Sequence, residues 1–299
     1  MLADFVQTVF AALSIGSMYA LVAVGVTLVY SATRIINFAQ GEFVMLGGMI
    51  MVSLYGEGGW PLWAAVPVTL ALTAVMAALL GLVAFRPGRQ GALITVLIIT
   101  IGASMAISGS AFHLWDGDVH RFPAFSGDAP LKLLGAALAP QTLWIAGAAV
   151  FSIGALFLFL HRSLWGKAMR ACAIDRTAAA LMGIRVGPTV TLSFVLAGLL
   201  GSVAGIVITP LTMVDYSGGM LLAIKGFSAA MLGGMGNVAG AVLGSVVFAV
   251  LEAFAATYLS STVKELITFV LIILVLMFLP NGLLGGRQQR GLAQEDTLE

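Results

Sequence analysis

Long apolar stretches separated by short polar ones run from residue 5 to residue 280. Each is about 20 residues long, enough for a helix to cross about 30 Å of hydrocarbon, and none alternates residue by residue as barrel strands do. The pattern predicts membrane helices over 6–30, 38–55, 61–85, 92–112, 141–161, 189–209 and 264–280. A further apolar stretch, 222–256, is interrupted by Gly233-Gly234-Met235-Gly236-Asn237, a run of helix-breaking residues. It predicts a short helix over 221–232, a turn, and a longer helix over 238–257. Non-helical backbone at that depth is tolerated only where it is buried in protein or lines a cavity. The fold class is therefore all-α: a polytopic integral membrane helical bundle with a re-entrant or broken helix.

Composition agrees, with 60% hydrophobic and 9% charged residues. The 36 glycines suit helices that approach closely where apolar burial no longer drives association. A net charge of +1 offers no basic surface for nucleic acid. One cysteine, Cys172, excludes an internal disulfide and reads as a packing residue. The first apolar segment follows Asp4 rather than a basic region and exceeds a signal core in length, so it is read as a retained helix.

Lysine and arginine set the expected orientation. Arg34, Arg86, Arg89, Arg162, Lys167, Arg170, Arg176, Arg185, Arg287 and Arg290 all fall on one side, taken as the cytoplasm. Arg121, Lys132 and Lys264 fall outside, and Lys225 near the outer boundary. The N-terminus is then external and the C-terminus cytoplasmic. The stretch 113–141, with Asp116, Asp118 and Asp128, becomes the main external loop. His113, Asp116, Asp118 and His120 lack the helical spacing that converges metal ligands, and a solvated loop is the preferred reading.

Between the first two spans lies Arg34-Ile-Ile-Asn-Phe-Ala-Gln-Gly-Glu42, polar groups where lipid is expected. A carboxylate there costs about 2.5–3.5 kcal/mol on insertion scales, so Glu42 should face protein or a water-filled path. Asn37, Gln40, Glu42 and Lys225 are the candidate pathway residues; the competing reading is that they pin helices together. The pentapeptide Met-Leu-Gly-Gly-Met occurs at Met45 and again at Met231, in segments expected to run in opposite directions, as an inverted repeat would leave behind. If the two copies meet, Lys225 becomes a conceivable partner for Glu42.

On the cytoplasmic side, 167–182 is too polar to span a membrane yet strongly helix-forming. Ala171, Ile174, Ala178, Leu181 and Met182 recur at helical spacing, with Arg170, Asp175 and Arg176 on other faces. Gly183 is placed to end this helix in a left-handed conformation. The helix suits either lipid headgroups or a cleft in another protein.

The spacing Thr177-Ala-Ala-Ala-Leu-Met-Gly183 is similar to the Glu-Ala-Ala-x-x-x-Gly loop by which ABC importer permeases dock on their ATPases, with Thr177 in place of Glu. Tyr19-Ala-Leu, Arg34-Ile-Ile-Asn-Phe-Ala-Gln-Gly-Glu42, Ser163-Leu-Trp-Gly-Lys-Ala-Met-Arg-Ala, Lys225-Gly-Phe-Ser-Ala-Ala-Met-Leu-Gly-Gly-Met-Gly and Pro280-Asn-Gly-Leu-Leu-Gly285 resemble permeases of branched-chain amino-acid ABC importers. That resemblance extends across nearly the whole chain. It implies one permease domain over 1–299, with a cytoplasmic coupling loop over 162–188 and a cytoplasmic tail over 281–299. It also implies a second homologous permease, two cytoplasmic ABC ATPases and an external amino-acid-binding protein, in a bacterial inner membrane. Arg170, Asp175, Arg176, Ala178, Ala179 and Gly183 become the candidate ATPase-coupling residues. No phosphate-binding loop is present, since Gly166-Lys167 lacks the upstream glycine and the following hydroxyl, so ATP is expected to bind the partner subunits and no cofactor is expected here. The alternatives are a urea or short-amide permease and an autonomous secondary transporter. An intramembrane enzyme is disfavoured because His113, His120 and His161 all lie near loops.

Overall fold

A computed structural model describes residues 2–84, 93–127, 129–133 and 136–258, together with 270, 273–274, 277–278 and 281–284. Most of the predicted span 264–280, the tail beyond 284, and Arg86, Arg89, Asp128, Lys264, Arg287 and Arg290 lie outside the described residues.

The apolar stretches form helices α1 (Leu2–Thr33), α2 (Gln40–Met51), α3 (Leu62–Ala84), α4 (Leu93–Trp115), α5 (Pro140–Arg162), α8 (Val186–Thr212), α9 (Gly218–Gly233) and α10 (Val238–Tyr258). A π-helical turn, Val52–Glu57, prolongs α2. The polar loop carries α6 (Leu164–Ile174) and α7 (Arg176–Leu181). Among the described residues, six helices are long and apolar enough to cross a bilayer: α1, α3, α4, α5, α8 and α10. The interrupted stretch resolves as expected into α9, a turn capped by Gly234 at φ 105°, and α10. Two three-residue strands, Leu131–Leu133 and Ala136–Leu138, form an antiparallel hairpin that hydropathy did not predict.

Which helices form the centre follows from burial. In the most apolar windows of α1 and α8, 67% is buried inside the protein, against 28% in α3 and 22% in α4 and α5. So α1 and α8 form the core, and the other three turn most of their apolar surface to lipid, which costs nothing in hydrocarbon. The two central helices pack on each other; α1 also packs on α9 and α10, and α8 on α2 and α3. Helix α5 lies against both. Close backbone approach makes the α2–α8 contact possible: a Cβ on Gly47 would lie 2.5 Å from the Ser202 carbonyl oxygen, and one on Gly205 would strike that of Val44.

The packed pairs match when α1–α2–α3 is exchanged with α8–α9–α10: α1 on α9 and α10 corresponds to α8 on α2 and α3, as an inverted repeat would give. Both central helices end alike. Thr33 and Thr212 donate side-chain hydrogen bonds to Val29 and Ile208, four residues back, and the next residues, Arg34 and Met213, have φ of 56° and 61°. The pentapeptide, by contrast, is not the repeat's signature. Its first copy lies inside α2, packed on α8, while the second runs off the end of α9 beside α10.

The helix ends define two faces. One carries the start of α1, the hairpin, whose Ala137 N–H donates to Gln7 Oε1 at 3.0 Å, and the bridge between His120 and Val214. The other carries Arg34, α6, α7 and the α9–α10 turn, where Ser31 Oγ donates to the Gly236 carbonyl at 3.3 Å. Arg121 lies on the first face, and Arg34, Arg162, Lys167, Arg170, Arg176 and Arg185 on the second.

Candidate functional site

After α1 ends, the chain turns back into the bundle rather than leaving it. Thr33 Oγ1 accepts from the Ile35 N–H at 3.1 Å and Asn37 Oδ1 accepts from Ala39 N–H at 3.1 Å, so side chains satisfy the loop's orphan donors. Asn37, Gln40 and Glu42 are all buried. Gln40 Nε2 donates to the Ala197 carbonyl of α8 at 2.9 Å, beside Gly25 of α1, which places Gln40 between the two central helices. Glu42 points to the α4–α9 side: Ser104 Oγ donates to its Oε1 at 2.8 Å, and Gly219 of α9 lies against the carboxyl group. Each of the three also holds one buried polar atom with no hydrogen-bond partner among the described residues: Asn37 Nδ2, Gln40 Oε1 and Glu42 Oε2. Such atoms are rare in interiors, because each forgoes hydration for nothing.

Lys225 behaves differently. It is not near the outer boundary, and its partner is not Glu42. Its Nζ donates to Glu252 Oε1 of α10 at 2.7 Å, deep between helices, and the Tyr19 hydroxyl of α1 donates to Glu252 Oε2 at 2.7 Å. Nζ also lies 6.0 Å from the centre of the Tyr19 ring. The two pentapeptides do not meet, so the geometry that would have brought Lys225 to Glu42 is not formed. The clasp ties α1, α9 and α10 together. Tyr19, Ser104 and Glu252 were missed from sequence; Glu252, an ionisable residue inside a predicted span, was the available signal.

The loop on the basic face is two helices, not the one amphipathic helix expected over 167–182. Asp175 breaks it, with Oδ1 accepting from Thr177 N–H at 2.7 Å and Ala178 N–H at 3.0 Å as the N-cap of α7. Ser163 caps α6 in the same way through Gly166 N–H. Met169, Cys172 and Ala179 face the bundle, while Leu164, Trp165, Ile174, Leu181 and Met182 are exposed, Ile174 by 79% and Leu181 and Met182 by 84%. Arg170 and Ala178 are exposed, whereas Arg176 is half-buried and its pKa lowered by that burial first and by the neighbouring Arg34 charge second. Burial likewise pushes the Cys172 thiol up. Gly183, with φ 83°, ends α7 in the left-handed conformation predicted for it. From the α1–α2 loop, Arg34 Nη2 donates to the Ala173 carbonyl in the last turn of α6 at 2.9 Å.

Spanning helices around a buried polar seam, with a structured loop presenting apolar tips on the basic face, define a multi-pass membrane transport protein with no catalytic constellation among the described residues. The chain belongs to the family described as branched-chain amino acid transport system, permease component, whose model matches residues 8–276. It is similar to the high-affinity branched-chain amino acid permease protein LivH of Salmonella typhimurium, 33% identical over 94% of this chain and 96% of that one. Pseudomonas aeruginosa BraD, a permease protein of the same kind of system, is 33% identical with the same coverage. A probable LivH of Methanocaldococcus jannaschii is 26% identical over 89% of this chain and 88% of that one.

Proposed function

We propose that this chain is one of the two membrane subunits of an ATP-driven importer that moves branched-chain or other hydrophobic amino acids delivered by an external binding protein. The observation that carries the reading is the α6–α7 loop. Five large apolar side chains stand exposed there among Arg162, Lys167 and Arg170, on helices fixed by their own caps and by buried Met169, Cys172 and Ala179. Such a surface suits a protein partner rather than water. The excess of Lys and Arg on its face favours a cytoplasmic position, with the N-terminus external. Two ABC ATPases are the partners of matching chemistry, and ATP belongs to them.

In this reading the chain is one permease domain over 1–299, the loop moves with the ATPases, and the helices reopen towards the other side. Arg170, Ala178 and the exposed apolar tips meet the ATPase. Asp175 and Gly183 act one step removed, by shaping α7, and Ala179 supports the loop from beneath. Asn37, Gln40 and Glu42 line the path, their unmatched polar atoms serving the transient contacts of a passage. Lys225 holds helices instead. The test is reconstitution in proteoliposomes of this chain with its partner permease, ATPases and receptor. ATP-dependent uptake of labelled leucine is expected. Equal uptake by the permeases without ATPases would instead identify an autonomous transporter, and preference for urea or a short amide would reassign the substrate.

A further inference from the structure

Two hydrogen-bond arrangements in the loop depend on each other. In a continuous helix through 164–182, the Ala173 carbonyl would accept from Thr177 N–H, and that of Ile174 from Ala178 N–H. Asp175 Oδ1 takes both donors. The Ala173 carbonyl is thereby left without a helical partner at the negative end of α6, and Arg34 fills its place through Nη2 at 2.9 Å. The other end of this contact is equally fixed. Arg34 sits in a left-handed conformation, φ 56°, that side-chain-bearing residues seldom adopt, with its N–H donating to the Tyr30 carbonyl at 2.6 Å. Thr33 pins Ile35, Asn37 pins Ala39, and buried Ile35 and Ala39 pack with Phe43. A displacement of α6 therefore reaches Gln40 through a short loop that these two bonds and the buried Ile35 and Ala39 side chains hold.

We infer that Arg34 is a positioning residue of the transport cycle: its bond to the Ala173 carbonyl, which the Asp175 cap makes available, is the joint that carries motion of the coupling loop into the α1–α2 loop and Gln40. This rests on the proposed function above. The joint is breakable from either side. Without the Arg34 guanidinium, the loop moves and α2 does not follow. Without the Asp175 cap, Thr177 N–H can claim the Ala173 carbonyl, and the arginine is displaced even though it is intact.

The experiment uses the full importer in proteoliposomes and reads leucine taken up per ATP hydrolysed, with subunit assembly checked by copurification. Arg34→Ala should lower that ratio about tenfold, the factor expected for one charge-assisted hydrogen bond, while hydrolysis continues. Arg34→Gly, which relieves the backbone strain, should do the same, and Arg34→Lys should recover part of the loss. Asp175→Ala should reproduce the Arg34→Ala defect, Asp175→Asn, which keeps the cap, should not, and the double Ala variant should be no worse than either single one. An unchanged ratio in Arg34→Ala overturns the inference. So does equal damage from Asp175→Asn and Asp175→Ala, or multiplied defects in the double variant. If the unmodified complex shows no ATP-driven uptake, the proposed function itself fails, a result distinct from coupled transport that ignores Arg34.

Discussion

Replacing Lys225 by Met removes the ammonium that Glu252 Oε1 accepts from at 2.7 Å, in a site where the two side chains are only 11% and 1% exposed. Shape is nearly conserved, so the loss is electrostatic. The carboxylate loses its ammonium partner in a buried site, and breaking one side of a buried pair costs about 3–5 kcal/mol. Tyr19 still donates to Oε2, which puts the expected loss at the lower end, about 3 kcal/mol. The double variant Lys225→Met with Glu252→Gln removes both charges of the pair, keeps an acceptor for Tyr19, and should unfold within about 1 kcal/mol of the unmodified chain or above it. Thermal unfolding in detergent, followed by the loss of monodisperse protein, separates the two. A single variant as stable as the parent would refute the reasoning, since the carboxylate could not then depend on Lys225. A double variant as damaged as the single one would show that packing, not charge, holds this corner.

The Gly205→Ala change should force α2 from α8, because its Cβ would strike the Val44 carbonyl with Gly48 N only 2.8 Å away; a loss of about 1–3 kcal/mol is expected in the same assay. Gly102→Ala, with nothing within 4 Å of the added carbon, is the control and should be neutral or better. Gly183→Ala also meets nothing within 4 Å, so its cost is conformational alone, about 1–2 kcal/mol at φ 83°, and Asn in its place should cost less. Cys172 should label slowly with maleimide. Its raised pKa keeps the thiol protonated at pH values where an ordinary cysteine has begun to ionise, burial outweighing the opposite pull of Arg176, and labelling should rise only on the alkaline side of the usual range. A Lys167→Cys substitution on exposed surface should react faster at pH 8, and equal rates would contradict the buried position.

Helix positions were legible because every residue of a span contributes to hydropathy, and an error at one position is outvoted by the rest. Partners were not, because each depends on how two distant helices meet. Lys225 and Glu252 are 27 residues apart, on helices joined by the turn at Gly234. Only the packing of α9 and α10 decides that this pair forms rather than one with Glu42. The break at Asp175 was hidden for another reason. Alanine-rich sequence on both sides favours helix, and a mid-helix Asp is tolerable until something else takes the carbonyl it strands. Asp followed two residues later by a helical N–H is a capping signal, and Arg34, more than a hundred residues earlier in the chain, makes the capped alternative complete.

Among the described residues, the two buried carboxylates, Glu42 and Glu252, also differ in what holds them. Glu252 accepts from an ammonium on α9 and a phenol on α1, so moving α10 away from α9 would break a buried ion pair and moving it away from α1 would break a buried hydrogen bond. Glu42 accepts one hydroxyl hydrogen bond from Ser104 of α4, and its second oxygen has no partner among the described residues. Moving α4 away would cost about one neutral-to-charged hydrogen bond and would give Glu42 Oε2 access to water, which returns part of that cost. Helix α4 is also fastened along this side by Ser108 to the Tyr216 carbonyl, by Phe112 against the Tyr216 ring, and by Trp115 Nε1–H donating to Ser53 Oγ in the π-turn after α2, and 22% of its apolar window is buried. Parting α4 from the α2–α9 pair at Glu42 would therefore break one hydroxyl hydrogen bond, whereas parting α10 from α9 at Glu252 would break a buried ion pair.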